Sequence, residues 1–244
     1  MQIVIIVQTR MGSSRLPGKA LLPVLDRPLL SYQIERLTRV KSATRLLIAT
    51  TTKPQDKEIC DLCKKEGIAC FRGDEQNVLE RYLQAAKSVE SDVIVRITGD
   101  CPLIDPEIVD KVIQYYLSGS FDYVSNTLKW SWPRGMDVEV FSMKALEMAF
   151  SSANSSYDQE HVTPFFYHNP KIFKLGSVVN DVDHSHLRLT VDTKEDFMLI
   201  AEILTRLYPQ NPKFTFDDIA SLLAKNPQLV ELNAAVKQKE EDRS

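Results

Sequence analysis

The sequence lacks most of the features that would mark a special case. No apolar run approaches the roughly 18 residues a membrane-spanning helix needs, so no membrane partner is expected. Net charge over the 244 residues is −3, so no overall field would draw the chain to nucleic acid. Cysteine is scarce: Cys60, Cys63, Cys70 and Cys101. Cys60 and Cys63 form a C-x-x-C pair, but the second pair of a zinc site is missing. The segment Asp56 to Glu66 reads as a helix with Ile59, Leu62 and Cys63 on one side, so these cysteines are expected to act as small apolar residues. There is no internal repeat and no low-complexity linker. Met1 runs straight into an apolar strand with no signal-peptide pattern, and a cytoplasmic protein is the expectation. Two common phosphate loops are also absent. Gly12 and Gly18 are separated by five residues and Lys19 is followed by Ala20. A Walker A loop needs four residues there and Ser or Thr after the Lys, and no Gly-x-Gly-x-x-Gly occurs.

What is there is an ordinary globular composition, 43% hydrophobic and 26% charged, in a chain long enough for one large domain. Short apolar runs alternate with helix-period segments, which argues for α/β architecture. Strands are predicted at 3–7, 45–50, 68–71, 92–98 (a central one), 121–125, 137–141, 171–179 and 187–191. Helices are predicted at 29–40, 56–66 with Gly67 closing it, 77–88, 143–151, within 154–167, at 194–207 and at 216–224. Another opens at Pro106 with Asp105 as its cap. The whole of 1–244 reads as one domain. It carries an inserted arm at about 126–180, around a Trp- and Pro-containing stretch, and a helical tail at about 209–244 whose last residues, 237–244, are charged and expected to fray.

Five segments carry chemistry. The first, after the first strand, is Gln8-Thr9-Arg10-Met11-Gly12-Ser13-Ser14-Arg15-Leu16-Pro17-Gly18-Lys19. A polar loop at a strand's C-terminal end sits where open α/β sheets bind ligands. Three cations and exposed backbone N–H groups suit a polyanion, most simply a triphosphate. In the second, Arg96-Ile97-Thr98-Gly99-Asp100, a carboxylate ends a buried strand. Asp100 could hold magnesium or simply cap the turn before Pro102. The third, Val191-Asp192-Thr193-Lys194-Glu195-Asp196, repeats that arrangement, and Asp192 could be a metal ligand or ordinary helix-capping chemistry. In the fourth, Arg134 precedes Asp137 and Glu139, which alternate with apolar residues and share one face. That face is either a cleft rim or a solvated strand side. The fifth runs from Gly73 to Tyr82, where Arg72 and Arg81 could contact phosphate or an acceptor, or form surface ion pairs. His161, in Glu160-His161-Val162-Thr163-Pro164, could touch an acceptor or be structural. His184 and His186 lack a third metal ligand.

Arg-x-x-Ser-x-Arg-x-Pro-Gly-Lys at 10–19 resembles the signature of the cytidylyltransferases that load acylneuraminate or 3-deoxy-octulosonate onto CMP, and is most similar to their spore-coat polysaccharide branch. Gly-Asp-x-Pro-Leu-Ile at 99–104 and Asp-Thr-x-Glu-Asp at 192–196 resemble further motifs of that family. With 72–82 and 132–141, five ordered segments cover about residues 1–205. The resemblance implies a Rossmann-like nucleotidyltransferase fold of the GT-A-like type, a three-layer sandwich with a mainly parallel central sheet and an inserted dimerisation and acceptor arm. It implies magnesium-dependent transfer of CMP from CTP to an acidic sugar, release of pyrophosphate, and a homodimer. Lys19, Arg10 and Arg15 would act on the phosphates, with Gln8, Thr9, Met11, Gly12, Ser13, Ser14, Arg72 and Asp100 around the nucleotide. Arg81, Arg134, Asp137, Glu139 and His161 would face the acceptor, and Asp100 and Asp192 would hold the metal. Three other readings stay open: a phosphorylated acceptor giving a CDP product, a glycosyltransferase-like enzyme, and a non-catalytic CTP-binding protein.

Overall fold

A computed structural model describes residues 1–153 and 155–238. In chain order the elements are β1 (Ile3–Gln8), β2 (Pro23–Val24), β3 (Arg27–Pro28), α1 (Leu29–Leu37), β4 (Arg45–Thr51), α2 (Lys57–Glu66), β5 (Ala69–Gly73), α3 (Val78–Ser88) and β6 (Val93–Thr98). They continue with α4 (Pro106–Ser118), β7 (Tyr123–Ser125), β8 (Glu139–Ser142), α5 (Met143–Ser152), α6 (Ser156–His161), α7 (Pro164–His168), β9 (Leu175–Ser177), α8 (Lys194–Leu207) and α9 (Phe216–Lys225). A 3-10 turn, Pro227–Leu232, follows.

Seven strands form one sheet in the order β5-β4-β1-β6-β8-β7-β9. It is mostly parallel, with β8 running against both its neighbours. Successive side chains of β1 go to opposite faces, as a pleated strand requires. Ile3, Ile5 and Val7 join the core that includes residues of α1, α2, α4, α8 and α9; Val4 and Ile6 join the one that includes residues of α3, α5 and α7. A strand buried on both faces reads as an unbroken apolar run, which is why Ile3 to Val7 has no polar residue. The result is the three-layer α/β sandwich expected, with β6 in the middle of the sheet.

Two parts of the sequence-based layout need correction. The strand predicted at 187–191 is an extended segment with one isolated bridge, Arg134 to Arg188. Leu187, Leu189 and Val191 are buried as a strand's inward face would be, but Thr190 between them is buried as well. The segment's partners are loops: Leu189 N donates to Arg134 O and Val191 N to Asp100 O. The stretch 126–180 is woven into the domain rather than standing off it. It supplies β8 inside the sheet, β9 at its edge and helices α5 to α7. Of the expected frayed tail, 239–244 lie outside the described residues.

Two glycines set the close approaches that shape the crevice. A Cβ on Gly99 would lie 2.4 Å from the Thr9 Cβ, so the ends of β6 and β1 can touch only without one. Gly135 has φ +98°, and a Cβ there would meet the Leu189 backbone at 2.5 Å. It lets the 134–136 turn run against the segment that delivers Asp192.

Candidate active site

The loop after β1 is anchored from beneath. Asp56, 1% exposed beside the first turn of α2, accepts from the Met11 amide at 2.7 Å and from the Thr51 amide at 3.2 Å. The Ser13 and Gly18 amides both donate to Met11 O. Of the amides from Met11 to Ser14 expected to cradle phosphate, that of Met11 is therefore committed to Asp56 and that of Ser13 to the loop itself. Those of Gly12 and Ser14 make no hydrogen bond among the described residues. Arg10 is exposed and lies 3.7 Å from Glu75.

Lys19 is where the chain's distant motifs meet. Its Nζ donates to Asp100 Oδ2 at 3.1 Å, Asp192 Oδ1 at 2.9 Å and Val191 O at 2.7 Å. Those are all three donors an ammonium has. Burial opposes its charge, but the two carboxylates outweigh burial and raise its pKa. Desolvation likewise works against the Asp100 anion, yet the Lys19 charge and hydrogen bonds from Thr98 and Lys19 hold it at about 2. Asp192 also takes Arg15 at 2.9 Å and Arg188 at 2.7 Å. It does not cap α8: Thr193 does, in a capping box with Asp196. Asp192 is thus left to face the cleft. Two carboxylates converging on one cation suit a magnesium ion, which takes hard oxygen ligands, commonly one or two carboxylates with the rest from phosphate and water.

Two cavities share this point. One, about 790 Å³, is lined by Gln8, Thr9, Arg10, Ser13, Ser14, Arg15 and Lys19, and on its far side by Asp74 to Arg81 and by α6. The other, about 380 Å³, is lined by Trp130, Arg134, Asp137, Glu139, Tyr167 and His168 among others. Arg96, Thr98, Asp100, His161 and Asp192 line both. The first has about twice the volume of the second, and both fall within the usual range for small-molecule sites.

Of the expected acceptor residues, Arg134, Asp137, Glu139 and His161 line the smaller cavity. Arg134 lies over the Trp130 ring at 4.4 Å. Desolvation pushes the Asp137 carboxyl up to about 7 against the pull of Arg134, with Asp100 and Glu139 adding to the rise. Its Oδ1 is buried without a hydrogen-bond partner. Glu139 is committed to Arg96 and to the Tyr123 hydroxyl, so it shapes the wall rather than reaching into the space. Arg81 is 3% exposed and donates to the carbonyls of Asp74 and Glu75, holding the loop that lines the larger cavity. Arg72 lines neither cavity; it donates to Thr51 O and Lys53 O.

Several residues of the site carried no role in the sequence reading. Arg96 sits inside a quoted motif, yet an Arg in an apolar strand gives no sign of its partner 43 residues away. Asp56 looked like a helix start, and only the fold brings it under the loop. Trp130, Tyr167 and His168 are ordinary loop and helix residues until β8 and α7 turn them to one cavity.

Comparison with known proteins agrees with this geometry. A family model described as cytidylyltransferase matches residues 4–241. The spore coat polysaccharide biosynthesis protein SpsF of Bacillus subtilis is 33% identical over 232 residues, covering 92% of this chain and 95% of that protein. A cytidylyltransferase structure from Leptospira borgpetersenii serovar Hardjo-bovis superposes with TM-score 0.91 at 34% identity, covering 98% of this chain and 100% of that one. The structure of a CMP:2-keto-3-deoxy-manno-octonic acid synthetase complexed with CTP shares the fold, with TM-score 0.67 at 16% identity over 84% of this chain and 99% of that one. The chain belongs to the cytidylyltransferase family and is a nucleotidyltransferase. No helix among the described residues is long and apolar enough to cross a membrane.

Proposed function

We propose that this cytidylyltransferase moves CMP from CTP to a hydroxyl of an acidic sugar, with magnesium, and releases pyrophosphate. The observation that carries the reading is the convergence of Lys19, Asp100 and Asp192 on the boundary between the larger and the smaller cavity. The names of the spore-coat relative and of the octulosonate synthetase with its CTP support both substrates.

In this reading the acceptor hydroxyl oxygen attacks the α-phosphorus and gives up its proton to water, the bond to the bridging oxygen breaks, and pyrophosphate carries the charge away. Little covalent help is needed; positioning and charge neutralisation do most of the work. Arg10 and Arg15 bind the β- and γ-phosphates, and the Gly12 and Ser14 amides offer free donors to the same oxygens. Lys19 moves toward the α-phosphate. Asp100 and Asp192 would hold the magnesium, which supplies neutralisation and alignment of the phosphates. Arg134 offers a planar pair of donors to an acceptor carboxylate. A homodimer, as the family resemblance implies, belongs to the same reading.

The test is pyrophosphate release with magnesium across the four ribonucleoside triphosphates and a panel of nonulosonates, octulosonates and sugar phosphates. Release with CTP and one acid sugar supports the proposal. Release only with sugar phosphates moves the acceptor to a CDP-forming reaction, and no release with any acceptor removes the reading.

A further inference from the structure

The segment after α9 contributes to the site by a route that neither the motifs nor the proposed reaction uses. Asn233, 4% exposed, follows the 3-10 turn Pro227–Leu232. Its Nδ2 donates to Arg188 O at 3.0 Å and to Asp196 Oδ1 at 2.9 Å. Asp196 is fully buried and has both oxygens occupied. Oδ1 takes Arg188 Nε at 2.8 Å along with Asn233, and Oδ2 takes Arg188 Nη2 at 3.1 Å and the amides of Asp192 and Thr193. Arg188 Nη2 then reaches Asp192 Oδ2 at 2.7 Å, and its Nη1 donates to Gln238, which lines the smaller cavity. Asp192 is thus gripped twice from Asp196, through its own amide and through the Arg188 guanidinium.

We propose that Asn233 is a positioning residue for the reaction: it fixes the Asp196–Arg188 pair and through it the Asp192 carboxylate at the boundary of the two cavities. This rests on the proposed role of Asp192 as a magnesium ligand. The Asp192 and Thr193 amides hold Oδ2 of Asp196, whereas Oδ1 has only Arg188 Nε and Asn233. Asn233 bonds both to that carboxylate and to the arginine's own backbone, so its loss leaves Oδ1 with Arg188 alone. Groups one step behind a metal ligand set its orientation, and their loss costs about 10- to 100-fold in metal affinity or activity. Asn233 has no other described contact of that kind, so its two donors are available to serve this one task.

The experiment compares the full-length protein with Asn233→Leu, which keeps bulk and removes both donors, and Asn233→Ser, which keeps one. Manganese binding in the presence of CTP is followed by the spin resonance of the free ion, alongside thermal unfolding and the magnesium dependence of pyrophosphate release. We expect Asn233→Leu to weaken manganese binding about 10-fold. The magnesium needed for half-maximal release should rise in parallel, the KM for CTP should change less than about twofold, and Asn233→Ser should fall between. Unchanged manganese binding in either variant overturns the proposal, as does a loss that only follows the folded fraction. If Asn233→Leu does not fold, Asn233→Ser carries the comparison alone. Absence of turnover in the unaltered enzyme would strike at the proposed reaction, and the manganese comparison would still decide whether Asn233 positions Asp192.

Discussion

Two sets of charges face the same cleft and are held in opposite ways. Lys19, Arg10 and Arg15 belong to one loop: Arg10 and Arg15 are 43% and 34% exposed at the side chain, while Lys19, at 14%, is in direct contact with Asp100 and Asp192. Arg96 and Glu139 belong to neighbouring strands in register and are 13% and 9% exposed at the side chain. Arg96 also reaches Gln8 Oε1 and lies over the Tyr82 ring, and Glu139 accepts from the Tyr123 hydroxyl at 2.6 Å. A loop cation can exchange its carboxylates for phosphate oxygens with a small movement. Arg96 also lines both cavities, but its guanidinium is tied to Glu139 and Gln8, so it would have to give up a buried ion pair to meet a ligand. In the proposed reaction the first set would be the machinery and the second the wall it works against.

The sharpest way to break this distinction is to remove one member of each set. Lys19→Ala should lower kcat/KM for CTP by about 10³-fold, which is about 4 kcal/mol. It should also cost about 3 kcal/mol of stability near neutral pH, because Asp100 and Asp192 lose the cation between them. Without its ammonium, the Asp100 carboxyl should titrate well above its present value of about 2. Arg96→Met should act on stability far more than on turnover. Leaving Glu139 buried without its partner should cost about 3 kcal/mol of stability or more, and Arg96→Met with Glu139→Leu should recover a good part of that. Denaturant unfolding beside steady-state kinetics reads both. If Arg96→Met kept full stability and lost only turnover, Arg96 would have to be moved into the machinery.

Asp137 belongs to neither set, and pH separates it from both. Its carboxyl titrates near 7 in the fold, against about 4 in an unfolded chain. Between those values the native state holds the extra proton, so this group's stabilising contribution is full below about pH 4 and lost as pH rises through 7. Asp137→Asn removes that slope. The variant's stability relative to the unaltered protein should therefore rise steadily from pH 4 to pH 8, measured without metal. A parallel pair of curves would mean that Asp137 titrates normally and that the cavity is wetter than its unpartnered oxygen suggests.

The legible part of the molecule follows a physical rule. The unbroken apolar run of β1, the Asp105 and Pro106 pair that opens α4, and Gly67 in the left-handed region at the end of α2 are local features, and local chemistry fixes them. The loop from Gln8 to Lys19 and the places of Asp100 and Asp192 just past apolar runs were legible for the same reason, since each motif is contiguous. What was not legible is pairing at a distance. Nothing in the sequence near Asn233 names Asp196, and the alternation at 187–191 does not say that its neighbours are loops. The 126–180 stretch breaks the local pattern at Trp130 to Met136, so it reads as an insertion. Only the antiparallel pairing of β8 with β6 shows it to be part of the sheet.

Arg72 gives the smallest expected effect and tests the same rule from the other side. By position alone it is a good candidate for phosphate, an arginine at the end of a strand that runs toward the nucleotide cavity. Its guanidinium instead donates from Nε to Thr51 O at 2.9 Å and from Nη2 to Lys53 O at 2.8 Å, tying the end of β5 to the loop before α2. Lys53 is exposed, so water can replace the guanidinium there, whereas Thr51 is fully buried; the net value of such bonds is about 1 kcal/mol each. Arg72→Ala should therefore leave the KM for CTP within about twofold and lower stability by about 1 kcal/mol. A much larger rise in KM would mean that the arginine leaves its carbonyls for phosphate when nucleotide binds. Two well-formed backbone bonds would then be as exchangeable as the loop cations, and the boundary between machinery and wall would have to be drawn by reach rather than by present partners.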